Sequence, residues 1–444
     1  MIDKYFRPHD PSIPSFQKPS LIRYTIVQFM NDPAKTNVTS IQKIAHSDPR
    51  CAYFGACGGC QMQDQPYEEQ LAIKQTRLQD LVSKFWDAPI PVHASPVQWN
   101  YRNKIDMNWA LKQYDEKPPD DFVRDTLLGF NKKGKWYFPL DIDECSIAAE
   151  SSTSLTKAMR AWAKEHDYRA ADRRTENGIL RILLHRESRR TGEGMVVLIT
   201  TDGEMDEQSF VDAVRAVYPA TSIYRGIYRG TARGAFADEL VLLHGSPTID
   251  EVLHVPDGDG IRQLRFRISP FSFFQTNTLG SEVLYGIIRD WVKEINPSIL
   301  YDLYGGAGGI AFSCSDLVDL VRSVEVVESA TADGEYNAQT NNIENVFFTT
   351  SKIRGYLQQI NEQGGMESNS AAIIDPPREG MTPKPLERLV RAAPPDILYV
   401  SCKPSVFAEE LEVFTERYEI TSMEAVDLFP QTDHVELVTA LRLK

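Results

Sequence analysis

The C-terminal part of the chain alternates short apolar runs with helical segments, and this rhythm constrains the fold more than any other feature. Its apolar runs include SILYDLYGGAGGIAF, VRSVEVVE, AAIIDPPREG and ILYVSC, and helical periodicity covers 329–342 and 405–417. Strands that alternate with helices form a mostly parallel sheet with helices on both faces. The sequence therefore predicts a Rossmann-like α/β domain, which we place at residues 269–444.

Residues suited to ligand binding directly follow several of these predicted strands. They are the glycine turn 305–309 and the side chains of Glu325, Asp375 and Cys402. Ligands of open α/β sheets bind beyond the carboxyl ends of the strands, so these residues should lie at one edge. The glycines let a ligand approach the backbone, and Glu325, about 20 residues further on, is placed to bind a ribose diol. The glycine spacing differs from that of dinucleotide enzymes, which favours S-adenosylmethionine over NAD.

The end of the chain offers candidate reactive groups. Cys402 lies in a polar Ser-Cys-Lys-Pro turn after a predicted strand, where Lys403 would favour the thiolate. Glu436 stands in an otherwise apolar strand, where an isolated carboxylate is costly unless it is used. Asp375 precedes two prolines that fix the backbone, so its side chain is presented rigidly at the ligand edge. Cys314, by contrast, is expected to be a buried apolar filler.

Residues 96 to 268 have a different pattern from the C-terminal part. Short runs such as KIDMNWAL, ILRILLH, GMVVLIT and LVLLHG are separated by turn residues, which indicates strands. We predict a β-rich α+β central domain over residues 51–268. The apolar spacing of 67–86 predicts a helix that can pack on the α/β domain. Residues 1–50 form a separate N-terminal segment.

Four cysteines form a further pattern. Cys51, Cys57 and Cys60 fall within ten positions, and Cys145 lies far along the chain. The sequence lacks a secretory signal and the run of about 18 apolar residues that a membrane span needs. We therefore expect a cytoplasmic protein without membrane attachment, in which clustered cysteines indicate metal binding or catalysis rather than disulfides. Spacing alone leaves an iron–sulfur cluster and a zinc site equally open.

The net charge of −14 weighs against broad contact with nucleic acid, because phosphates are neutralised by Lys and Arg. The charge is uneven, however. Residues 160–190 carry nine Lys/Arg against five Asp/Glu, and these include Arg173, Arg174, Arg189 and Arg190. Any RNA binding should therefore be local.

Five motifs in order give the chain a resemblance to a known family. SPFSFFQTNT, DLYGGAGGIAF, DPPREG, YVSCKPS and FPQTDHVEL resemble the RNA uridine-5-methyltransferases, which make 5-methyluridine in tRNA or ribosomal RNA. CAYFGACGGC, YRNK at 101–104 and Cys145 are similar to the iron–sulfur-bearing bacterial branch of that family. The resemblance covers roughly residues 50–444 and implies that the α/β domain is a class I methyltransferase.

The resemblance also implies roles for individual residues. Cys402 matches the nucleophile that attacks carbon 6 of uracil, and Glu436 matches the base that removes the proton from carbon 5. The positions that match contacts to the methyl donor, S-adenosylmethionine, are Gln275, Tyr304, Glu325 and Asp375. Phe273 and Arg378 match contacts to the target base. Cys51, Cys57, Cys60 and Cys145 would hold a 4Fe–4S cluster rather than zinc. The implied partner is ribosomal RNA or tRNA, and the implied state is a monomer with no obligate protein partner.

The sequence departs from the family at Gly309, where many relatives carry Asn. The N-terminal segment 1–50 is also too short for the full RNA-binding barrel that several relatives carry. Three alternative functions remain open. An RNA cytosine-5-methyltransferase would carry a second cysteine in a Pro-Cys motif, where this chain has DPPR. A radical S-adenosylmethionine enzyme uses Cys-x3-Cys-x2-Cys, whereas the spacing here is Cys-x5-Cys-x2-Cys. A non-catalytic RNA-binding protein with a methyltransferase fold would not need Cys402 and Glu436.

Overall fold

The computed structural model describes residues 48–444 except 115, 117, 118, 120, 121, 173–177, 232, 233 and 236. Nearly all of the N-terminal segment 1–50, together with Arg173 and Arg174, lies outside the described residues. Among the helices that are described, none is long and apolar enough to cross a membrane.

The described chain contains both helices and strands. The helices are α1 (Tyr67–Val82), α2 (Ser151–Glu165), α3 (Glu207–Arg215), α4 (Thr278–Ile295), α5 (Gly309–Cys314), α6 (Glu328–Thr340), α7 (Ile353–Glu362), α8 (Pro383–Ala392) and α9 (Pro404–Phe414), with a 3₁₀ turn at Ser315–Leu317. The strands are β1 (Val92–His93), β2 (Lys104–Leu111), β3 (Thr126–Lys132), β4 (Lys135–Asp141), β5 (Leu180–Glu187), β6 (Gly194–Thr200), β7 (Ser222–Ile227), β8 (Glu239–Gly245), β9 (Ile249–Asp257), β10 (Gly260–Ile268), β11 (Ile299–Leu303), β12 (Leu320–Glu325), β13 (Val346–Thr350), β14 (Ser370–Ile374), β15 (Asp396–Ser401), β16 (Tyr418–Val426) and β17 (Glu436–Leu443).

The C-terminal strands form a mixed sheet in the order β1-β16-β17-β15-β14-β11-β12-β13. β11 to β15 run parallel, whereas β17 runs antiparallel to both β15 and β16. β14 is buried along its whole length, as is expected of a parallel strand with helices on both faces. The carboxyl ends of β11, β12, β14 and β15 therefore meet at one edge, and β17 begins there. This arrangement confirms the predicted α/β fold.

The central strands form a second sheet in the order β4-β3-β2-β5-β6-β7-β8. All of its pairings are antiparallel except that of β6 with β7. Helix α2 buries Leu155, Met159 and Trp162, which recur every three or four residues along one face. These side chains share an apolar core with Phe210 of α3 and Leu198 of β6.

The segment between the cysteine cluster and the central sheet packs in the catalytic core. Leu78 and Val82 of α1 and the following Ile90 are buried in the same apolar cluster as Tyr301 and Leu411. β1 pairs in parallel with β16. The antiparallel β9–β10 hairpin likewise packs on α4. The chain thus contributes to the catalytic core before it builds the central sheet and again after it.

Candidate active site

Cys402 and Glu436 are brought together by the pairing of β15 with β17. The antiparallel register places Ser401 opposite Leu437, so the next residues along, Cys402 and Glu436, face each other at the ligand edge. Cys402 is half-buried, whereas Glu436 is only 3% exposed. The Oε2 atom of Glu436 is buried and has no hydrogen-bond partner among the described residues. A thiol and an unpaired carboxyl group thus share one site.

Three carboxyl groups lie close enough beneath this edge to affect one another. Burial, reinforced by the nearby Asp375, raises the pKa of Glu436 well above its ordinary value, while Arg378 opposes the shift. Burial and the neighbouring Asp302 raise the pKa of Asp375 to about 7. Burial also raises the pKa of Asp302 to about 7, against the hydrogen bond from Ser323. Without a bound ligand, the protein therefore favours the protonated form of these three carboxyl groups. A cation bound at the edge would favour their ionised form.

Without a bound ligand, the surroundings of Cys402 favour the neutral thiol over the thiolate. Burial, followed by Glu436 and Asp375, raises the pKa of Cys402 to about 12, and Arg378 acts in the opposite direction. This differs from the sequence-based expectation that the turn favours the thiolate. The opposing positive charge comes from Arg378, which is exposed, rather than from Lys403. Formation of the thiolate thus requires a further positive charge or a proton acceptor at the site.

The turn after β11 lies close against β12. Tyr304 has a φ of 66°, in the left-handed region that is strained for a residue other than glycine. The amides of Tyr304 and Gly305 both donate to the Val324 carbonyl, at 3.0 and 3.1 Å. A Cβ atom on Gly305 would lie 2.0 Å from Ser323 Oγ. A side chain at Gly305 would therefore require Ser323 and Asp302 to move.

Glu325 ties the glycine turn to the end of β12. Its carboxylate accepts hydrogen bonds from the amides of Gly306 at 3.1 Å, Val326 at 2.7 Å and Val327 at 2.8 Å. The two valines are 55% and 50% exposed, which is unusual for consecutive apolar side chains. The carboxylate and the apolar pair together offer a polar and an apolar contact to a ligand at this edge.

The segment before α4 reaches the same turn. Phe273 is 63% exposed, and a Cβ atom on Gly306 would lie 3.8 Å from its ring, so the ring lies beside the glycine turn. Gln275 is buried, and its carbonyl accepts a hydrogen bond from Asn103 Nδ2 at 2.9 Å. Asn103 belongs to the YRNK motif, which therefore positions this segment. The structure thus brings the sequence-predicted residues to one edge of one sheet.

Comparisons with known proteins agree with this geometry. Residues 238–444 match the family model described as tRNA (uracil-5-)-methyltransferase. An uncharacterized RNA methyltransferase of Clostridium tetani is 33% identical over 407 residues, which cover 89% of this chain and 84% of the relative. An uncharacterized RNA methyltransferase of Caldanaerobacter subterraneus is 32% identical over 402 residues, which cover 88% and 84%. The chain belongs to the tRNA (uracil-5-)-methyltransferase family. It is an S-adenosylmethionine-dependent RNA uracil-5-methyltransferase, so the resemblance to this family is confirmed, whereas its iron–sulfur-bearing branch is not shown.

A solved structure adds to this family assignment. The tRNA (uracil-54, C5)-methyltransferase of Pyrococcus abyssi, in complex with S-adenosyl-L-homocysteine, is 27% identical with a TM-score of 0.66. The match covers 86% of this chain and 85% of that protein. S-adenosylmethionine is thus supported as the cofactor of this uracil-5-methyltransferase, and RNA as its substrate.

Sequence reasoning missed Tyr285 and Asp302 of this methyltransferase. Tyr285 is buried on α4, and burial together with Asp375, Asp302 and Glu436 raises its pKa. A Cβ atom on Gly309 would lie 2.6 Å from the Tyr285 hydroxyl. The Asn that many relatives carry at that position would therefore collide with this hydroxyl. Asp302 lies near the carboxyl end of a predicted strand, and this position could have identified it. Tyr285 is one of many buried residues on α4, and no local sequence pattern distinguishes it from the others.

The four cysteines of the methyltransferase line one cavity of about 750 Å³. Cys51, Cys57 and Cys60 come from one loop, and the β3–β4 hairpin and the following turn bring Cys145 to them. Burial raises the pKa of Cys57 and Cys145, and it raises that of Cys60 to about 12. Further residues on the wall are the basic side chains Arg102, Lys104, Lys132 and Lys135.

The structure does not identify a metal at these thiols. Within the described part of the chain, no group of three or more His, Cys, Asp or Glu side chains is arranged to hold a metal ion. An iron–sulfur cluster is therefore not shown, and neither is a zinc site.

The basic surface predicted from the sequence is only partly available for RNA. Arg190 forms a two-pronged ion pair with Glu282, in which Nη2 and Oε2 are 2.7 Å apart. The Arg189 side chain is exposed. Arg173 and Arg174 lie outside the described residues, and Arg190 is paired with Glu282. Among the described residues of this set, Arg189 therefore remains as the exposed arginine without an ion pair of this kind.

Proposed function

We propose that this methyltransferase transfers a methyl group to carbon 5 of a uridine in RNA, with Cys402 as the nucleophile and Glu436 as the base. The observation that carries the proposal is the juxtaposition of these two residues across β15 and β17, beside the glycine turn. The family description and the Pyrococcus abyssi relative both name tRNA, which supports tRNA ahead of ribosomal RNA.

The residues of the site fit a sequence of addition and elimination. The Cys402 thiol loses its proton to solvent beside the positive charge of Arg378, its sulfur adds to carbon 6 of the uracil, and the electron pair of the ring double bond moves to carbon 5. S-adenosylmethionine supplies the methyl group that carbon 5 then takes, and S-adenosyl-L-homocysteine is the leaving group. Glu436 removes the proton from carbon 5, the double bond re-forms and the Cys402 thiolate leaves. Glu436 is suited to this step because its elevated pKa makes it a stronger base than an exposed glutamate.

The remaining site residues have positioning roles in this proposal. Gln275, Tyr304, Glu325 and Asp375 hold the methyl donor, with the carboxylate of Glu325 at the ribose. The target base must leave its stack to reach Cys402, and the exposed ring of Phe273 offers it a stacking surface. Arg378 acts on both Cys402 and Glu436, so it lies where it can contact the uracil edge.

Donor binding should release protons from this site. Unfolded Asp has a pKa of about 3.9, whereas that of Asp302 and Asp375 is raised to about 7. The folded chain thus holds extra protons between about pH 4 and 7, and these groups make it less stable as the pH rises. A bound sulfonium cation favours the ionised carboxylates, so affinity for S-adenosylmethionine should rise from about pH 5 to 8. For each proton released, the gain is up to about tenfold per pH unit.

Calorimetry in buffers of different ionisation enthalpy measures this proton release directly. S-adenosyl-L-homocysteine is the matched control, because it lacks the methyl group and the positive charge of the donor. Its affinity should change much less with pH. Equal pH dependence for the two ligands would contradict the role given to the carboxyl groups.

We also propose that Cys51, Cys57, Cys60 and Cys145 hold a 4Fe–4S cluster. Four thiols on one cavity suit a cluster held by four thiolates, which is larger than a single ion. The cluster would tie the loop of the first three cysteines to Cys145. Protein prepared without oxygen should contain about four iron and four sulfide per chain, and Cys145→Ser should lower both and the melting temperature. Stoichiometric zinc without iron would contradict this assignment.

The substrate is tested by mapping 5-methyluridine in tRNA and ribosomal RNA from cells with and without the gene. The expected result is the loss of this nucleoside at one or more defined positions, and its return when the purified protein and S-adenosylmethionine are added to that RNA. The proposal fails if no position changes and the purified protein transfers no labelled methyl group.

A further inference from the structure

The loop 427–434, which joins β16 to β17, ends two residues before Glu436. Val426 pairs with Glu436 in the sheet, so the loop starts and finishes beside the candidate base. Within it, Gln431 has a φ of 71° and is 2% exposed. A buried non-glycine residue in the left-handed region persists only where its surroundings over-determine the backbone.

The cysteine segment supplies part of these surroundings. The amides of Gln61 and Met62, directly after Cys60, both donate to the Gln431 carbonyl, at 3.0 and 3.1 Å. The Gln61 side chain accepts a hydrogen bond from the Asp433 amide at 3.3 Å and donates to the Gly58 carbonyl at 2.9 Å. Backbone and side-chain hydrogen bonds thus join the segment that follows the three cysteines to the loop 427–434.

Helix α1 supplies a second part of these surroundings. Gln70 and Gln431 form two reciprocal hydrogen bonds: Gln70 Nε2 donates to Gln431 Oε1 at 3.0 Å, and the Gln431 amide donates to Gln70 Oε1 at 2.9 Å. Lys74 Nζ lies 2.7 Å from Asp427 Oδ1, and their side chains are 1% and 0% exposed. Lys74 also donates to the Phe429 carbonyl at 3.3 Å.

These contacts are more specific than stability alone requires. A buried ion pair adds little net stability over apolar packing, but it fixes one geometry, because either charge left alone would be costly. The bonds from Gln61, Gln70 and Lys74 all join the loop to residues at least 350 positions earlier in the chain. The loop, in turn, sets where β17 begins and so where Glu436 stands.

We infer that Gln61, Gln70 and Lys74 are positioning residues for the base, acting through the loop 427–434. The inference rests on the role of Glu436 in the proposed function. None of the three is placed against substrate or donor. Their loss should therefore slow removal of the proton from carbon 5 while leaving addition of Cys402 to the uracil intact.

Gln70→Ala tests this inference, because it leaves the Gln431 amide buried without a partner. We expect turnover to fall about tenfold or more, since small displacements of catalytic groups have effects of that size. The fraction of enzyme bound covalently to RNA should rise, as seen on denaturing gels with RNA from cells that lack the gene. Affinity for S-adenosylmethionine should stay within about twofold of the unaltered protein.

Gln75→Ala is the matched control. It is the same substitution on the same helix, and it removes a comparable hydrogen bond, from Gln75 Nε2 to the Ile90 carbonyl at 2.8 Å, which does not reach the loop. This variant should keep its turnover and show no excess of adduct. Equal adduct fractions and turnover in the two variants would overturn the inference.

Gln431→Gly is a second test variant, because glycine is compatible with the positive φ at this position. Glycine adopts a positive φ without strain, so this chain should fold while it loses the side-chain bond from Gln70. It should also accumulate adduct, and if Gln70→Ala does not fold, a normal adduct fraction in Gln431→Gly overturns the inference. Failure of the unaltered protein to methylate RNA would instead refute the proposed function.

Discussion

Cys402→Ala protein should fold, bind S-adenosylmethionine and transfer no measurable methyl group to RNA. Removal of a nucleophile that forms a covalent intermediate costs several orders of magnitude, and we expect a fall of at least about 10⁴-fold. The physical reason is that carbon 5 of uracil gains its electron pair only when a thiolate adds to carbon 6. Transfer of labelled methyl groups to RNA from cells that lack the gene measures the effect.

Cys314→Ala is the control for loss of a thiol. Cys314 is fully buried on α5, and its pKa is raised by burial, so it is inert packing. The control should lose some thermal stability and keep its turnover. Methyl transfer by Cys402→Ala at a rate near that of the control would remove Cys402 from the mechanism.

Glu436→Gln should trap the enzyme on its RNA. The substitution keeps the shape of the side chain but removes the proton acceptor, whereas Cys402 can still add to the ring. General-base catalysis contributes about 10²–10⁴-fold, so turnover should fall by that factor while covalent protein–RNA adduct accumulates. The melting temperature should not fall. Glu436 and Asp375 disfavour each other's ionisation, and the neutral Gln removes this repulsion.

A second glutamate serves as the comparison. Glu424 lies on β16 and forms a half-exposed pair with His93, in which Oε2 and Nε2 are 2.7 Å apart. Glu424→Gln should keep normal turnover and form no excess adduct. If Glu436→Gln turns over normally, or if it is slow without adduct, another group removes the proton.

The sequence was sufficient to predict those features that depend on strand order. Glu325, Asp375 and Cys402 each follow a parallel strand, and parallel strands end at one edge, so their meeting followed from the alternation of strands and helices. The α/β fold and the uracil-5-methyltransferase family were predicted in the same way, from ordered motifs.

Burial and contacts between distant parts of the chain could not be predicted in this way. The pKa of Cys402 is raised rather than lowered, because its surroundings are set by Glu436 and by packing rather than by the adjacent Lys403. The bonds between Gln70 and Gln431 join residues 361 positions apart. No local pattern of residue types records such a pairing.

The packing of α1 and β1 has a consequence for how the two halves of the protein are connected. Leu78, Val82 and Ile90 complete the catalytic core, although they precede the central sheet in the chain. The strands of the central sheet thus lie, along the chain, between two segments that both pack in the catalytic core. A fragment cut at residue 269 would expose this apolar wall and should aggregate. Joining 61–94 to 249–444 would keep this wall covered, but it would expose Ile249 and Ile268, which pack against the central sheet.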